Sequence, residues 1–209
     1  MEQLTVAMAK GRTATKAMKL FEQAGIYFSS LQDDSRKLVL TDDSGQVKLI
    51  FVKAVDVPTY VEKGAADIGI IGKDVLLEDP KDVYEMVDLR ISACKLVVAG
   101  FPGPYPNTQL TVASKYPHVA KTFFTNKGIR TDVITLNGSV ELAPLIGMAD
   151  VIVDIVETGK TLKENGLVVL EEIADSSARL IVNKASFAIK TAVIQQLIGS
   201  VKEGMGVST

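Results

Sequence analysis

The feature of this chain that most constrains its fold is a regular alternation of short apolar runs with segments of helical pattern. "LTVAMA" (4–9) and "ADIGIIG" (66–72) are apolar runs of strand length. "TATKAMKLFEQAG" (13–25) carries apolar residues at helical spacing, and Gly25 stands where such a helix would end. Strands that alternate with helices form mainly parallel sheets with helices on both faces. We therefore predict an α/β protein with mainly parallel sheets.

Other patterns extend this prediction. Asp43-Ser44-Gly45 is typical of a tight turn between two strands. "YEMVDLRISACKLVVAGF" (84–101) predicts one long extended segment, and "ASFAIKTAVIQQLIGSVKEG" (185–204) predicts a closing helix with one apolar face.

The alternating pattern occurs in two sets, and the proline-rich "FPGPYPNT" (101–108) is the best linker signal between them. At roughly 100–200 residues per domain, the 209 residues allow one large domain or two small ones. Segments 64–76 and 147–162 resemble each other: in both, a glycine is followed after one residue by Ala-Asp, an apolar strand and a turn into a helix. Two explanations of this similarity are equally good: the two halves of the chain are related, or any parallel strand–helix unit has this pattern. Ligands of such folds bind beyond the carboxyl ends of the strands.

Charge and residue usage exclude several classes of function. The net charge of −2 argues against nucleic acid or an anionic membrane as the main partner. Cys94 is the only cysteine, which excludes an intrachain disulfide and a thiolate metal site, and we expect it to be a small core residue. His118, the only histidine, is expected at the surface. Neither a signal peptide nor a membrane-spanning apolar run is visible, so we expect a soluble cytoplasmic protein.

The most informative chemistry lies in "DIVETGKTL" (154–162). Thr158-Gly159-Lys160-Thr161 stands between a predicted strand and a predicted helix, where unpaired backbone N–H groups are available to a phosphate. Gly159 would let the backbone approach a ligand closely. A P-loop is excluded because the chain lacks G-x-x-x-x-G-K-[ST].

Asp154 and Glu157 cannot bind the phosphate that the turn would bind. Carboxylates do accept hydrogen bonds from sugar hydroxyls, and they coordinate Mg²⁺ directly or through water. A phosphorylated sugar such as ribose 5-phosphate would satisfy the acids and the turn together. A threonine helix cap with Glu157 near the helix dipole explains the same residues without any ligand.

The sequence also resembles a known family. "MADVIVDIVETGKTLKENGL" (148–167) is similar to the 5-phosphoribosyl-1-pyrophosphate (PRPP) loop of ATP phosphoribosyltransferase, a transferase that opens histidine biosynthesis. Further similar blocks follow the family's order and spacing over nearly the whole chain: "AMAKGR" (7–12), "SRKLVL" (35–40), "DVPTYVEKGAADIGIIGKDVL" (56–76), "VDLRISACKLVVAG" (87–100), "VASKYP" (112–117) and "LNGSVELAPLIGMAD" (136–150).

The resemblance implies a type II periplasmic-binding-protein-like fold, with two α/β lobes and the active site in the cleft between them. The lobes would comprise residues 1–91 plus 183–209 and residues 92–182, the latter carrying the PRPP loop. It further implies that N1 of the adenine of ATP attacks PRPP, giving phosphoribosyl-ATP and pyrophosphate, with Mg²⁺ accompanying the substrates.

Residue by residue, the resemblance implies that one set binds PRPP: Glu141, Asp154, Glu157, Thr158, Gly159, Lys160 and Thr161. Arg12 and Arg36 match the catalytic arginines near the leaving pyrophosphate, where a bidentate guanidinium suits the growing phosphate charge. Lys10, Gly11 and Lys53 would contact ATP or pyrophosphate. Lys53 stands where many relatives have arginine, so its role in phosphate binding is less well supported.

The histidine-binding C-terminal domain of long-form members has no counterpart after Val201. The chain thus resembles the short form, which implies a homodimer within a hetero-oligomer containing a histidyl-tRNA-synthetase-like regulatory subunit. Two alternatives are a binding module without catalysis, such as a solute receptor or a regulator's effector lobe, and another phosphoribosyltransferase class. Neither accounts for all the blocks, because a receptor needs a signal peptide, a regulator needs a DNA-binding segment, and the other class lacks "KGR" and "GAADIGIIG".

Overall fold

The computed structural model describes residues 3–30 and 37–206. The chain divides into two compact units. The first unit comprises Met1–Leu76, Pro80–Ser92 and Ser177–Thr209, and the second comprises Leu77–Asp79 and Ala93–Ser176.

Strands and helices alternate as predicted. Before β6, the described elements are β1 (Leu4–Met8), α1 (Arg12–Gln23), β2 (Val39–Thr41), β3 (Val47–Phe51), a 3-10 turn (Ala54–Asp56), α2 (Val57–Glu62), β4 (Ile68–Gly72), α3 (Lys73–Glu78) and β5 (Val83–Asp88). The second unit then contains β6 (Cys94–Gly100), β7 (Gln109–Ser114), α4 (Pro117–Asn126), β8 (Arg130–Thr135), α5 (Leu142–Leu145), β9 (Val151–Val156), α6 (Lys160–Glu164) and β10 (Val168–Ser176). The described chain closes with β11 (Ala178–Asn183), α7 (Lys184–Ile189) and α8 (Thr191–Gly204).

The described strands of the first unit form a six-stranded sheet in the order β2-β3-β1-β4-β11-β5. β1 is parallel to β3 and β4, whereas β11 is antiparallel to β4 and β5. Phe21 of α1 and Ile198 of α8 belong to the core on one face of the sheet. Val57 and Val61 of α2 belong to the core on the other. Both faces are therefore covered, which explains why β4 is apolar along its length.

In the second unit, the described strands form a five-stranded sheet in the order β10-β6-β9-β7-β8. β7 is parallel to β8 and β9, and β6 is antiparallel to β9 and β10. On one face, Ala143 of α5 and Leu162 of α6 belong to a core with Ile152 of β9. On the other, Phe124 of α4 packs with Val153.

The prediction of mainly parallel sheets is wrong, because both sheets are mixed. In the first unit, β2 is antiparallel to β3. In each unit, moreover, one strand that follows a passage between the units inserts antiparallel beside a parallel strand. β6 takes this place beside β9, and β11 takes it beside β4. Periodicity reveals a strand but not its direction.

The predicted division of the chain also needs correction. The proline-rich segment 101–108 lies inside the second unit, where Tyr105 donates a hydrogen bond to Glu171 and its ring lies 5.8 Å from that of Phe124. The predicted run 84–101 is two strands, β5 and β6, separated by left-handed residues Arg90 and Ser92. The return to the first unit comes at Ser177 rather than at residue 183, because β11 pairs with β4 and β5.

Other expectations fare differently. The turn at Asp43–Gly45 is confirmed between β2 and β3, with Gly45 left-handed. The closing helix is interrupted at Lys190, giving α7 and α8. His118 is exposed, as predicted, but Cys94 is only half-buried and is not a core residue. Within the described ranges, no helix is both long and apolar enough to span a membrane.

The two similar segments, 64–76 and 147–162, have the same local structure. Gly64 and Gly147 are left-handed, with φ of 72° and 71°. The side chain of Asp67 accepts a hydrogen bond from the Thr5 N–H at 2.8 Å, and that of Asp150 accepts one from the Thr111 N–H at 2.7 Å. Each aspartate therefore ties its strand to the neighbouring parallel strand, β1 or β7.

Candidate active site

The acids and the turn of 154–162 lie where β9 leaves the core of the second unit. Val151, Ile152 and Val153 are buried, whereas Asp154 is half-buried and Glu157 is exposed. Asp154 Oδ1 accepts a hydrogen bond from the backbone N–H of Ile155 at 2.8 Å. The sequence switches from apolar to acidic at the point where the strand emerges, so the acids do not break the strand core.

The turn after β9 leads directly into α6. Gly159 precedes the helix with φ 71°, a left-handed conformation that disfavours any residue with a Cβ. The Thr158 hydroxyl accepts a long hydrogen bond, 3.4 Å, from the Lys160 N–H. Lys160 Nζ is 3.7 Å from Glu164 Oε1, and both side chains are largely exposed. Thr161 is also exposed, and its carbonyl accepts a hydrogen bond from the Asn165 side chain at 2.9 Å. Since α6 has only five residues, its dipole is small, and hydroxyl and backbone N–H groups are what this turn offers a phosphate.

Glu141 lies at the same edge of the second sheet. β7 is parallel to β8 and to β9, so the carboxyl ends of these strands share one edge. Glu141 is half-buried immediately before α5, after Ser139, which has a left-handed φ of 48° although it is not glycine. Val140 and Leu162 belong to one core cluster, which brings Glu141 and the turn 157–161 to the same face of β9.

The predicted basic residues belong to the first unit. Lys10 and Gly11 follow β1, and Arg12 is the exposed first residue of α1. Gly11 has φ 116°, which only glycine adopts readily. Lys53 follows β3, and the Val52 N–H donates to the Met8 carbonyl at 3.0 Å, so Lys10 and Lys53 leave neighbouring parallel strands at one edge. Lys10 Nζ lies 5.4 Å from the centre of the Phe51 ring.

Arg36 lies outside the described residues, so its predicted role stays a prediction. Of the other predicted residues, the structure assembles the acids and the phosphate turn at the edge of the second sheet. Lys10, Gly11, Arg12 and Lys53 are assembled at the edge of the first.

Lys95 is a charged residue opposite the end of β9 that sequence patterns did not single out. Lys95 pairs in register with Val156, the last residue of β9, and therefore shares the face of the sheet that carries Asp154. Lys95 Nζ donates to both carboxylate oxygens of Glu172 at 2.7 Å, and this hydrogen bonding raises the pKa of Lys95. Only the register of β6 against β9 and β10 could have found it.

The donor set was also tested for a metal site. Among residues 3–30 and 37–206, no group of three or more histidine, cysteine, aspartate or glutamate side chains could hold a metal ion.

Comparison with known proteins agrees with the sequence blocks. A family model described as ATP phosphoribosyltransferase matches residues 53–203. The ATP phosphoribosyltransferase of Thermoanaerobacter sp. (strain X514) is 55% identical over 206 residues, covering 97% of this chain and 96% of that protein. The ATP phosphoribosyltransferase of Oceanobacillus iheyensis is 51% identical over 208 residues, covering 99% and 100%.

Solved structures also match this chain in fold. The ATP phosphoribosyl transferase (HisG:HisZ) complex from Thermotoga maritima contains a chain that matches with a TM-score of 0.86 and 34% identity, covering 99% of this chain and 100% of that one. The periplasmic aliphatic sulphonate binding protein SsuA from Escherichia coli matches with a TM-score of 0.62 at 13% identity, covering 99% and 70%. The second likeness shows the fold alone, and it confirms the predicted periplasmic-binding-protein-like fold. On the strength of the family model and the full-length relatives, this chain belongs to the ATP phosphoribosyltransferase family.

Proposed function

We propose that the chain transfers the phosphoribosyl group of PRPP to N1 of the adenine of ATP, releasing pyrophosphate, as the cytoplasmic first step of histidine biosynthesis. The main structural support comes from the end of β9. There the half-buried Asp154 and the exposed Glu157 are followed by the turn at Gly159. The family fixes the reaction class, and this geometry supports a ligand with a diol and a phosphate.

The second unit would bind the phosphoribosyl group. Asp154 and Glu157 accept hydrogen bonds from the ribose hydroxyls, and Glu141 borders the sugar from the loop before α5. The N–H groups and hydroxyls of Thr158, Gly159 and Thr161 surround the 5-phosphate, with Lys160 supplying charge. This division resolves the conflict between acids and a phosphate turn, because each set contacts a different part of one molecule.

The first unit would bind the leaving pyrophosphate. Bond cleavage at the anomeric carbon leaves positive charge on the sugar and moves negative charge onto pyrophosphate. Arg12, with Arg36, stabilises that negative charge, assisted by Lys10, the close backbone approach at Gly11, and Lys53. One preorganised donor to a developing oxyanion contributes roughly 3–4 kcal/mol to catalysis. Lys53 supplies charge without the bidentate geometry of arginine, so its contribution is smaller.

Mg²⁺ would be held chiefly by the phosphate oxygens of the substrates, because this ion keeps several waters and usually takes only one or two carboxylates from the protein. When bound, it would supply further neutralisation of the pyrophosphate charge. The side chains of the chain itself bind and orient the sugar and the leaving group.

A homodimer within a hetero-oligomer that includes a histidyl-tRNA-synthetase-like subunit is the assembly we propose. The HisG:HisZ complex of the Thermotoga maritima relative supports the hetero-oligomer.

The test is incubation of the purified chain with Mg²⁺, ATP and PRPP, with and without the regulatory subunit, followed by chromatography and mass analysis of the products. We expect phosphoribosyl-ATP and pyrophosphate in equal amounts, and a fall in the rate of formation of both by roughly 100-fold to 1,000-fold in the Arg12→Ala variant. PRPP binding without any product, even with the regulatory subunit present, would make the chain a binding module and overturn the proposal.

A further inference from the structure

The start of α1 lacks the side-chain cap that usually fixes a helix end. Its N-cap residue is Gly11, which has no side chain to accept a hydrogen bond from the first turn. Thr13 links this turn to another segment of the chain, because its hydroxyl donates a hydrogen bond to the Ser92 hydroxyl at 3.1 Å. Both residues are half-buried. The first turn is therefore tied sideways to residue 92 in place of an ordinary cap.

Ser92 ends a loop with unusual backbone geometry. Arg90 and Ser92 both have φ 53°, in the left-handed region that residues with a Cβ seldom adopt. Such a conformation persists only where the surroundings impose it, and it points to a constraint with a purpose. Ser92 with its hydroxyl is kept in a conformation that would suit glycine better.

The surroundings do impose it. Asp88 accepts hydrogen bonds from the Arg90 N–H at 2.9 Å and from the Ser177 hydroxyl at 2.6 Å, and it also pairs with Arg179. The Leu89 N–H donates to the Ala178 carbonyl, and the Ala178 N–H donates to the Ile91 carbonyl, both at 2.9 Å. Residues 88–92 are thus hydrogen-bonded to the start of β11, which pairs with β4 and β5 in the first sheet.

These contacts form a continuous connection from the sheet to the residue next to Arg12. Arg12 is exposed, and the position of its guanidinium depends on the backbone from which the side chain extends. A group that acts on transition-state charge loses effect when it is misplaced by a fraction of an ångström to one ångström.

We infer that Thr13 and Ser92 are positioning residues for the transfer reaction, which hold the first turn of α1 and thereby direct Arg12 at the leaving pyrophosphate. The inference rests on the proposed function, specifically on the role given to Arg12. The chemistry belongs to Arg12, and the hydroxyl pair sets its placement.

The experiment measures steady-state kinetics of the full chain with its regulatory subunit, using ATP, PRPP and Mg²⁺. Thr13→Val and Ser92→Ala each remove one hydroxyl, and Thr13→Ser restores the donor. We expect each removal to lower kcat roughly fivefold to tenfold, the size of one lost hydrogen bond, with smaller changes in the KM values. Thr13→Ser should stay within about twofold of the parent. The matched control is Thr15→Val, in the same helix turn, whose hydroxyl bonds its own helix at Gly11 O, 3.4 Å away. It should leave kcat unchanged.

The decisive measurement repeats Thr13→Val and Ser92→Ala in an Arg12→Ala background. A positioning role predicts no further loss there, because the group to be positioned is gone. The same fold-loss in both backgrounds, or no loss in the parent, overturns the inference. If a variant has a lowered unfolding midpoint, the fold-loss of kcat in the two backgrounds still separates the explanations. General destabilisation would lower kcat by the same factor in both backgrounds. If Arg12→Ala alone leaves kcat intact, the proposed role of Arg12 fails, which separates that failure from failure of the inference.

Discussion

β4 and β9 are built alike, and they differ at the positions that matter for function. Each follows a left-handed glycine and an aspartate that bonds the neighbouring parallel strand, and each has an antiparallel strand on its other side. Val6 pairs with Ile68 in one sheet and Val112 with Val151 in the other, which fixes the correspondence between the two strands.

By that correspondence, the counterpart of Asp154 is Ile71, which is 4% exposed in the core of the first unit. β4 passes directly into α3, whereas β9 is separated from α6 by Glu157, Thr158 and Gly159. The shared features serve the fold, since they occur in both units. The acid and the inserted turn occur in one unit alone, so they mark the specialised function. The comparison can be tested by exchanging counterpart residues.

The largest effect is expected from Ile71→Asp, which places the acid of β9 in β4. Ile71 packs in the cluster that contains Val57, Val61 and Ile181. Arg179, which lies opposite Ile71 on β11, already pairs with Glu85 and Asp88. A buried unpaired carboxylate should lower the free energy of unfolding by about 4 kcal/mol or more. Urea denaturation measures it, with Ile71→Val as control at about 1 kcal/mol. A loss no greater than the control's would show that the two positions are equivalent after all.

The converse exchange, Asp154→Ile, should preserve the fold and abolish most activity. Asp154 is half-buried at the end of β9, so an apolar side chain fits there without leaving a buried charge. Losing charge-assisted hydrogen bonds to the ribose hydroxyls should lower kcat/KM for PRPP by about 100-fold. Steady-state kinetics and a thermal melt check it, with Asp154→Asn separating charge from shape. Full activity in Asp154→Ile would remove the residue from the proposed site.

A smaller difference in stability is expected between Asp67 and Asp150, the two aspartates that bond a neighbouring parallel strand. Asp67 is buried and also pairs with Lys190 at 3.1 Å, whereas Asp150 is exposed. Asp67→Asn should lower the free energy of unfolding by about 2–3 kcal/mol, because Lys190 loses a partly buried partner. Asp150→Asn should cost about 1 kcal/mol or less. Equal costs, measured by urea denaturation, would mean that the ion pair adds nothing to the shared hydrogen bond.

The smallest effect concerns acid stability of the second unit. Hydrogen bonds from Lys127 and from Tyr105 hold the pKa of the Glu171 carboxyl below its ordinary value of 4.5. A lowered pKa means that Glu171 stabilises the folded state above that ordinary value. This stabilisation is lost as the pH falls through the folded-state pKa. Glu171→Gln should therefore be less stable than the parent at neutral pH, with the difference shrinking below about pH 4. Unfolding midpoints across this range measure it, and a constant difference would contradict the assignment.

Much of the fold could be predicted from the sequence, because apolar periodicity reports burial. The presence of β1, α1, β4 and β9 follows from it, although the predicted runs 4–9, 13–25 and 66–72 differ at their ends by one or two residues from β1, α1 and β4. Strand direction, the break between β5 and β6 at Arg90 and Ser92, and the membership of β11 could not be predicted, since they depend on which strands meet in space.

The same limit applies to the candidate site. The turn 157–161 is contiguous, and its chemistry was visible in the sequence. Lys95 and the Thr13–Ser92 hydrogen bond join residues far apart in the chain, so no local pattern could reveal them. The roles of Arg12 and Arg36 came from family resemblance, and the exposed environment of Arg12 alone would not have suggested catalysis.

The position of β11 between β4 and β5 has a consequence for synthesis of the chain. β5 finds its partner in the first sheet only in β11, which begins at Ala178. The strands of the second unit, β6 to β10, all leave the ribosome before that residue. The second sheet can therefore close while the first still has a vacant strand position, and domains generally fold in the order in which they are completed. A nascent chain interrupted before Ser177 would carry one finished sheet and one in which β4 and β5 each lack the neighbour that β11 provides. Unpaired strand edges of this kind promote aggregation.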